Sequence, residues 1–137
     1  MPLFIRYQSA APNPRGTFPG VFALANGLRR NGMLDPADAH WLLRANEQAT
    51  AQYRDPSTVE PNCYDPTLHP GARSWFRADA TTLLAMCVGY LDLLDRYRVP
   101  WVELRTTSPG RITYEDEVQI VATPMDRSHD WPFRPSQ

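Results

Sequence analysis

The sequence predicts an α+β domain, a small and mainly antiparallel sheet of three or four strands packed against a long central helix and two shorter helices. Three observations carry this. Between Gly71 and Pro100 apolar residues recur in steps of three and four, at Phe76, Ala80, Leu83, Cys87, Tyr90, Leu91, Leu94 and Tyr97, which sets them on one stripe of a helix. Segments near both ends of the chain alternate in steps of two instead, the period of a strand. Proline and glycine gather between these segments, where turns and loops belong.

Taken in order, Leu3–Ser9 reads as a strand with bulk on both parities, Leu3, Ile5 and Tyr7 against Phe4, Arg6 and Gln8. AAPNPRGTFPG follows as a loop. Val21–Arg30 is a short helix with Val21, Leu24, Ala25 and Leu28 on one side, and Asn31-Gly32 is its stop. Asp35-Pro36-Ala37-Asp38 opens a second helix, with Asp35 as N-cap, Pro36 in the first turn and Asp38 at the positive dipole end. Ala39, Leu42, Leu43, Ala45, Ala49 and Tyr53 continue it, with Trp41 beside them. Arg54–Pro70 carries Pro56, Pro61, Pro66 and Pro70, a density that excludes helix and central strand. Its Val59, Tyr64, Leu68 and His69 suit a pinned loop, the rival reading being a flexible linker.

The central helix is expected to begin near Pro70-Gly71 and to end before Pro100, with Leu84, Val88 and Leu93 widening its stripe. Trp101–Thr107 alternates as a strand, and Ser108-Pro109-Gly110-Arg111 suits a type II turn. From Ile112 to Ala122 one parity holds Ile112, Tyr114, Asp116, Val118, Ile120 and Ala122. This is one long strand with Asp116 facing the aliphatics, or two shorter ones if it breaks at Glu115–Glu117. Residues 1–124 form the expected domain, and 125–137 a proline-rich tail carrying Trp131 and Phe133.

A chain of 137 residues fits one domain and buries a core without disulfide staples. A net charge of −1 implies no field for nucleic acid or an acidic membrane surface, and no apolar run is long enough to span a bilayer. MPLFIRYQS lacks the apolar run of a signal peptide. Cys87 falls on the helix stripe and Cys63 in the proline-rich loop, a pair that supports neither a disulfide framework nor a zinc knuckle. A reducing cytoplasm is the expected setting. All fourteen basic residues are arginine, which excludes lysine Schiff-base chemistry, a Walker-type lysine and a lysine general base. His40, His69 and His129 show no metal-ligand spacing, and neither a metal nor a particular cofactor is indicated.

Three groups carry the candidate chemistry. Asp116, a carboxylate on a core-facing parity, needs a partner, and Arg6 in the first strand is the expected one. The pair is then a structural ion pair, or an anion or ligand clamp. Glu115 and Glu117 share the opposite face, where paired acids serve acid–base work or simply form a solvated strand face. Tyr64, Asp65 and His69 in the loop, with Trp75 and Arg77 entering the central helix, are placed to hold a planar or anionic ligand near a helix N-terminus. Asp116, Glu117 and His69 are thus the candidate catalytic residues, and Arg6, Tyr64, Trp75 and Arg77 the candidate ligand-binding ones.

The segments FALANGL, DPSTVEPNCYD, PGARSWFR and PGRITYEDEVQIV resemble those of a group of small, mostly uncharacterised actinomycete proteins. The resemblance covers roughly residues 3–123 and implies no activity. The arginine of an early strand, Arg6, and the E-x-E of Glu115 and Glu117 before an aliphatic strand are similar to elements of ADP-ribosyltransferases. That resemblance implies that Arg6 grips dinucleotide phosphates and that Glu117 stabilises the sugar cation. The family's Ser-Thr-Ser strand is replaced by Thr106-Thr107-Ser108 just before a turn. The leading expectation is a domain that binds a small polar or aromatic ligand, or a small enzyme, with its pocket between the proline-rich loop, the start of the central helix and the sheet. The rival is a protein-interaction, immunity-like or accessory module whose partner is another protein or a second copy of the chain.

Overall fold

The computed structural model describes residues 1–125; the tail from 126 onward, with His129, Trp131 and Phe133, lies outside the described residues. The elements run β1 (Phe4–Ser9), α1 (Val21–Arg30), α2 (Pro36–Gln52), α3 (Pro56–Val59), β2 (Arg73–Arg77), α4 (Thr81–Arg96), β3 (Trp101–Thr106), β4 (Arg111–Glu115) and β5 (Gln119–Thr123). Five strands form one sheet in the order β3-β1-β2-β5-β4, and every neighbouring pair is antiparallel. The class is the one the sequence predicts, with one strand more than its upper count. No helix among the described residues is long and apolar enough to cross a membrane.

The added strand is β2, and it corrects the expected start of the central helix. Residues 73–77 are strand and α4 begins only at Thr81. Phe76, Ala80 and Leu83 keep helical spacing, but Phe76 reaches the core from the sheet and Ala80 from the turn between the elements. From Leu83 onward the stripe holds: Leu83, Cys87, Tyr90, Leu91, Leu93 and Leu94 are buried, while Val88 faces outward. Burial of each large apolar side chain contributes roughly 1.5–3 kcal/mol. Past Arg96 the chain closes the helix with Arg98 in the left-handed region, its N–H bonded to Asp95 and that of Val99 to Leu94.

The helices lie against the side of the sheet that carries Tyr7, Phe76 and Trp101. The other side carries a second cluster of Phe4, Trp75, Leu104, Ile120 and Ala122, as the registers Phe4↔Arg77, Arg6↔Leu104 and Trp75↔Ile120 require. α1 and α2 have their expected ends, with the Asp35 carboxylate accepting from the Asp38 N–H at 2.8 Å. At Gly89 of α4 an added Cβ would lie 2.8 Å from Trp41 Cζ2 of α2, so the missing side chain is what lets the indole seat on α4. Trp41 in turn meets Tyr90 edge-on at 5.5 Å.

The proline-rich segment is pinned rather than a free linker. Cys63 is buried with Ala72, Tyr114 and Val121, Thr113 Oγ1 donates to the Cys63 carbonyl at 3.1 Å and Gln119 Nε2 to the Arg54 carbonyl at 2.8 Å. It also contains one helical turn that its proline content seemed to forbid. Pro56 stands at the start of α3, where its missing N–H costs nothing, and Asp55 caps that turn.

Two predictions follow from this packing. Gly89→Ala ordinarily stabilises a helix by up to about 1 kcal/mol; here the displaced Trp41 reverses the sign, and the midpoint of urea or thermal unfolding falls. Cys63 and Cys87 are both free and buried, and burial raises the Cys87 thiol to about 12. Both thiols therefore resist a disulfide reagent in native buffer and react together on unfolding; rapid native labelling would place them at the surface.

Candidate functional site

The ladder between β1 and β2 runs for two residue pairs, Phe4↔Arg77 and Ile5↔Phe76, and then opens. Past that point β1 instead meets the start of α1, through a bridge between Gln8 and Gly20 and a bond from the Ser9 N–H to the Pro19 carbonyl. The Arg6 side chain fills the fork. Its Nε donates to Gln8 Oε1 at 2.8 Å, Nη1 to the Ser74 carbonyl of β2 at 3.0 Å, and Nη2 to the Phe18 carbonyl at 2.9 Å. Arg6 is only 7% exposed, and every one of these acceptors is neutral. Burial lowers its pKa to about 10, against an opposing contribution from Tyr64.

A cavity of about 300 Å³ opens at the fork, between Arg6, Tyr7, Ser74 and Phe76 of the strands, the first turn of α1, and Tyr64 and Ala72 of the loop side. It adjoins a larger hollow of about 850 Å³, and Phe22, Tyr64, Ser74 and Phe76 line both. The larger one runs between α1, α2, the α3 loop, α4 and Gln119 of β5. On its wall a hydrogen-bond chain links three helices: Tyr90 Oη donates to Asn46 Oδ1, Asn46 Nδ2 to Asn26 Oδ1, and Asn26 Nδ2 to the Phe22 carbonyl, each at 2.8 Å. Asn26 and Asn46 both line the hollow, and each amide has a second N–H beyond these bonds. Burial raises Tyr90 to about 12, with Cys87 acting in the same direction, which keeps the phenol a neutral donor. Tyr64, 39% exposed, stands where the two chambers meet; burial is the largest cause of its raised pKa.

The candidate residues are only partly brought together. Arg6 and Tyr64 share the cleft. Trp75 is on the far side of the sheet with Phe4 and Ile120, its Nε1 without a hydrogen-bond partner. Arg77 ends β2, 3.5 Å from Asp79 and 3.5 Å from Glu115, so neither stands at a helix N-terminus as expected. His69 belongs to a turn, its N–H bonded to the Asp65 carbonyl at 2.7 Å and its Nδ1 buried without a partner; it lines neither chamber.

Asp116 does not meet Arg6. The Ile112–Ala122 run is two strands, and Asp116 sits in the turn between them. Its carboxylate accepts from Tyr114 Oη at 2.7 Å and from the N–H groups of Val118 and Gln119 at 2.9 and 3.0 Å. These bonds outweigh burial, which alone would raise its pKa, and hold it below the ordinary value. Tyr114 is pushed up to about 12 by burial and by this carboxylate. Asp116 is therefore the clasp of the β4–β5 hairpin. Glu117 is exposed at the tip and lines neither chamber, so the Arg6–Glu117 site that the ADP-ribosyltransferase resemblance implies is not assembled around this cleft. Among the described residues no group of three or more His, Cys, Asp or Glu side chains could hold a metal ion.

Sequence reading did not find Gln8, Gly20, Asn26, Ser74 or Gln119, and took Tyr90 for core alone. Nothing in the spacing marks them, because they come from six different elements and loops that meet only in the fold. Comparison with protein-family models, with curated proteins and with solved structures found no match.

The clasp predicts a pH signature. The folded-state pKa of Asp116 is depressed, so its stabilisation is present above the unfolded value of about 3.9 and is lost as pH falls through the folded value. Asp116→Asn should cost about 1–3 kcal/mol at neutral pH, and the gap to wild type should close in acid. Urea titrations over a pH series measure it; a gap that does not change with pH would show that the charge is irrelevant to the turn.

Proposed function

We propose that this chain is a small-ligand-binding domain whose polar or aromatic ligand lies in the cleft between the β1–β2 fork and the helices. The observation that supports it best is the joining of the two chambers. Aromatic walls of Phe22, Phe76 and Tyr64 are continuous with a guanidinium in one chamber and the Asn26 and Asn46 amides in the other, the mix of apolar walls and a few polar groups that suits small-molecule sites. The wall's carboxylate, Asp55, caps α3 through the Ser57 N–H at 3.0 Å. Among the described residues the polar groups of the cleft form no nucleophile-and-base pair.

A second reading, docking of a protein partner, draws on Val59, Tyr64 and Leu68, which are all exposed on the one pinned segment. Light scattering on the eluting protein tests self-association through that surface.

The cleft reading is tested by thermal unfolding against a panel of small aromatic and polar metabolites. A ligand at a hundred times its Kd stabilises by about 2.7 kcal/mol. Thr50 is an exposed residue lining the larger chamber, and Thr50→Trp adds bulk there. The shift produced by a true cleft ligand should be lost in this variant; a shift that persists would put the ligand elsewhere and remove the proposal.

A further inference from the structure

We infer that the narrow end of the cleft is an anion pole, where Arg6 and the first turn of α1 together hold a carboxylate or phosphate group of the ligand. This rests on the cleft reading and adds the chemical class of what the cleft takes.

Two sources of positive potential of independent origin converge on the same 300 Å³ chamber. The first is Arg6. Its hydrogen bonds go to an amide, two main-chain carbonyls and, at 3.4 Å, the Ser74 hydroxyl. These satisfy its geometry but carry no net charge, and no carboxylate pairs with it among the described residues. Of its five N–H groups, the second on Nη2 has no acceptor there. A cation nine-tenths buried with only neutral partners is expensive to hold, and an anion in the chamber it lines offsets that cost.

The second source is the start of α1. Gly20, Val21, Phe22 and Ala23 line the chamber. Among the described residues no side chain caps this terminus and its first turn holds no acidic residue, so neither offsets the positive end of the helix dipole. The two sources are fitted to each other. A Cβ at position 20 would lie 3.3 Å from Arg6 Nη1, so a side chain there would push the guanidinium aside by a few tenths of an ångström. Arg73 lines the same chamber and donates to the same Gln8 oxygen at 3.1 Å. Phe22 and Phe76 carry the wall on into the larger chamber, so the fitting ligand is a small organic anion with a flat apolar body.

The test is an NMR titration of ¹⁵N-labelled protein with benzoate, phenyl phosphate, inorganic phosphate and the neutral isostere benzamide at millimolar concentrations. Expected are shifts of the Phe22 and Ala23 amides and of the Arg6 Nε–H with the two aryl anions, and binding of benzamide weaker by at least about tenfold. Shifts with inorganic phosphate at the same three groups also support the pole. Arg6 holds backbone carbonyls across the fork, so its replacement endangers folding. Ala23 is exposed, and Ala23→Asp places a carboxylate of the chain's own in the pole. This variant should unfold at a temperature no lower than wild type and bind benzoate roughly ten- to a hundredfold more weakly, a larger loss than benzamide suffers. Equal affinity for benzoate and benzamide would overturn the anion pole and leave the cleft standing. Anion shifts confined to other parts of the chain, an Ala23→Asp variant that binds benzoate as wild type does, or no shift with any anion would overturn it as well, while the metabolite panel decides the cleft separately.

Discussion

Between β1 and β2 a side chain takes over from the backbone ladder, and much of the molecule follows from that exchange. A sheet that opens in its middle leaves carbonyls that must find donors. Arg6 supplies them, reaching Ser74 on one strand and Phe18 on the loop that leads into α1. A long side chain with five N–H groups can span a fork that a methyl or hydroxyl cannot. The price is a buried cation among neutral dipoles. The gain is a gap wide enough for a cavity at the point where α1, the sheet and the proline-rich loop meet.

The rest of the fold keeps that gap in place. β2 and β3 flank β1, both antiparallel to it, and α4 carries the chain from one to the other across the sheet. Tyr7 and Phe76 from the strands meet each other tilted, Trp101 meets Tyr7 and Phe22 meets Phe76 edge-on, and Phe22 meets Tyr90 of α4 edge-on at 4.8 Å. Of these rings Tyr7, Phe22, Phe76 and Tyr90 also line the cleft. The hydrogen-bond chain through Tyr90, Asn46 and Asn26 then ties α4, α2 and α1 together beside the cavity, where an unsatisfied amide would otherwise be costly.

Patterning made part of this legible. α1 and α2 have the ends that Asn31-Gly32 and Asp35-Pro36 announce, because capping is settled within a few residues of chain. The stripe from Leu83 to Leu94 is buried because only one face of a helix can meet a sheet. β2 was hidden for a related reason. It is five residues long and buries adjacent residues, Trp75 and Phe76, on opposite sides of the sheet, so it shows no alternation, and Phe76 happens to fall in phase with the helix that follows. The large side chains of the proline-rich loop announce that it is pinned, but its anchor is Cys63 with main-chain carbonyls, whereas Val59 and Leu68 are exposed.

By itself the sequence determined the class of fold, the limits of two helices and the buried stripe of a third. These depend on local periodicity and on capping chemistry. Which residues meet was decided only in three dimensions. Asp116 turned to its own hairpin rather than to Arg6 because the strand breaks beside it and offers two N–H groups at close range. Arg6 found carbonyls because the ladder had already opened. Partner choice of this kind depends on strand register and on where a sheet splits, and both are set by contacts between segments some seventy residues apart in the chain.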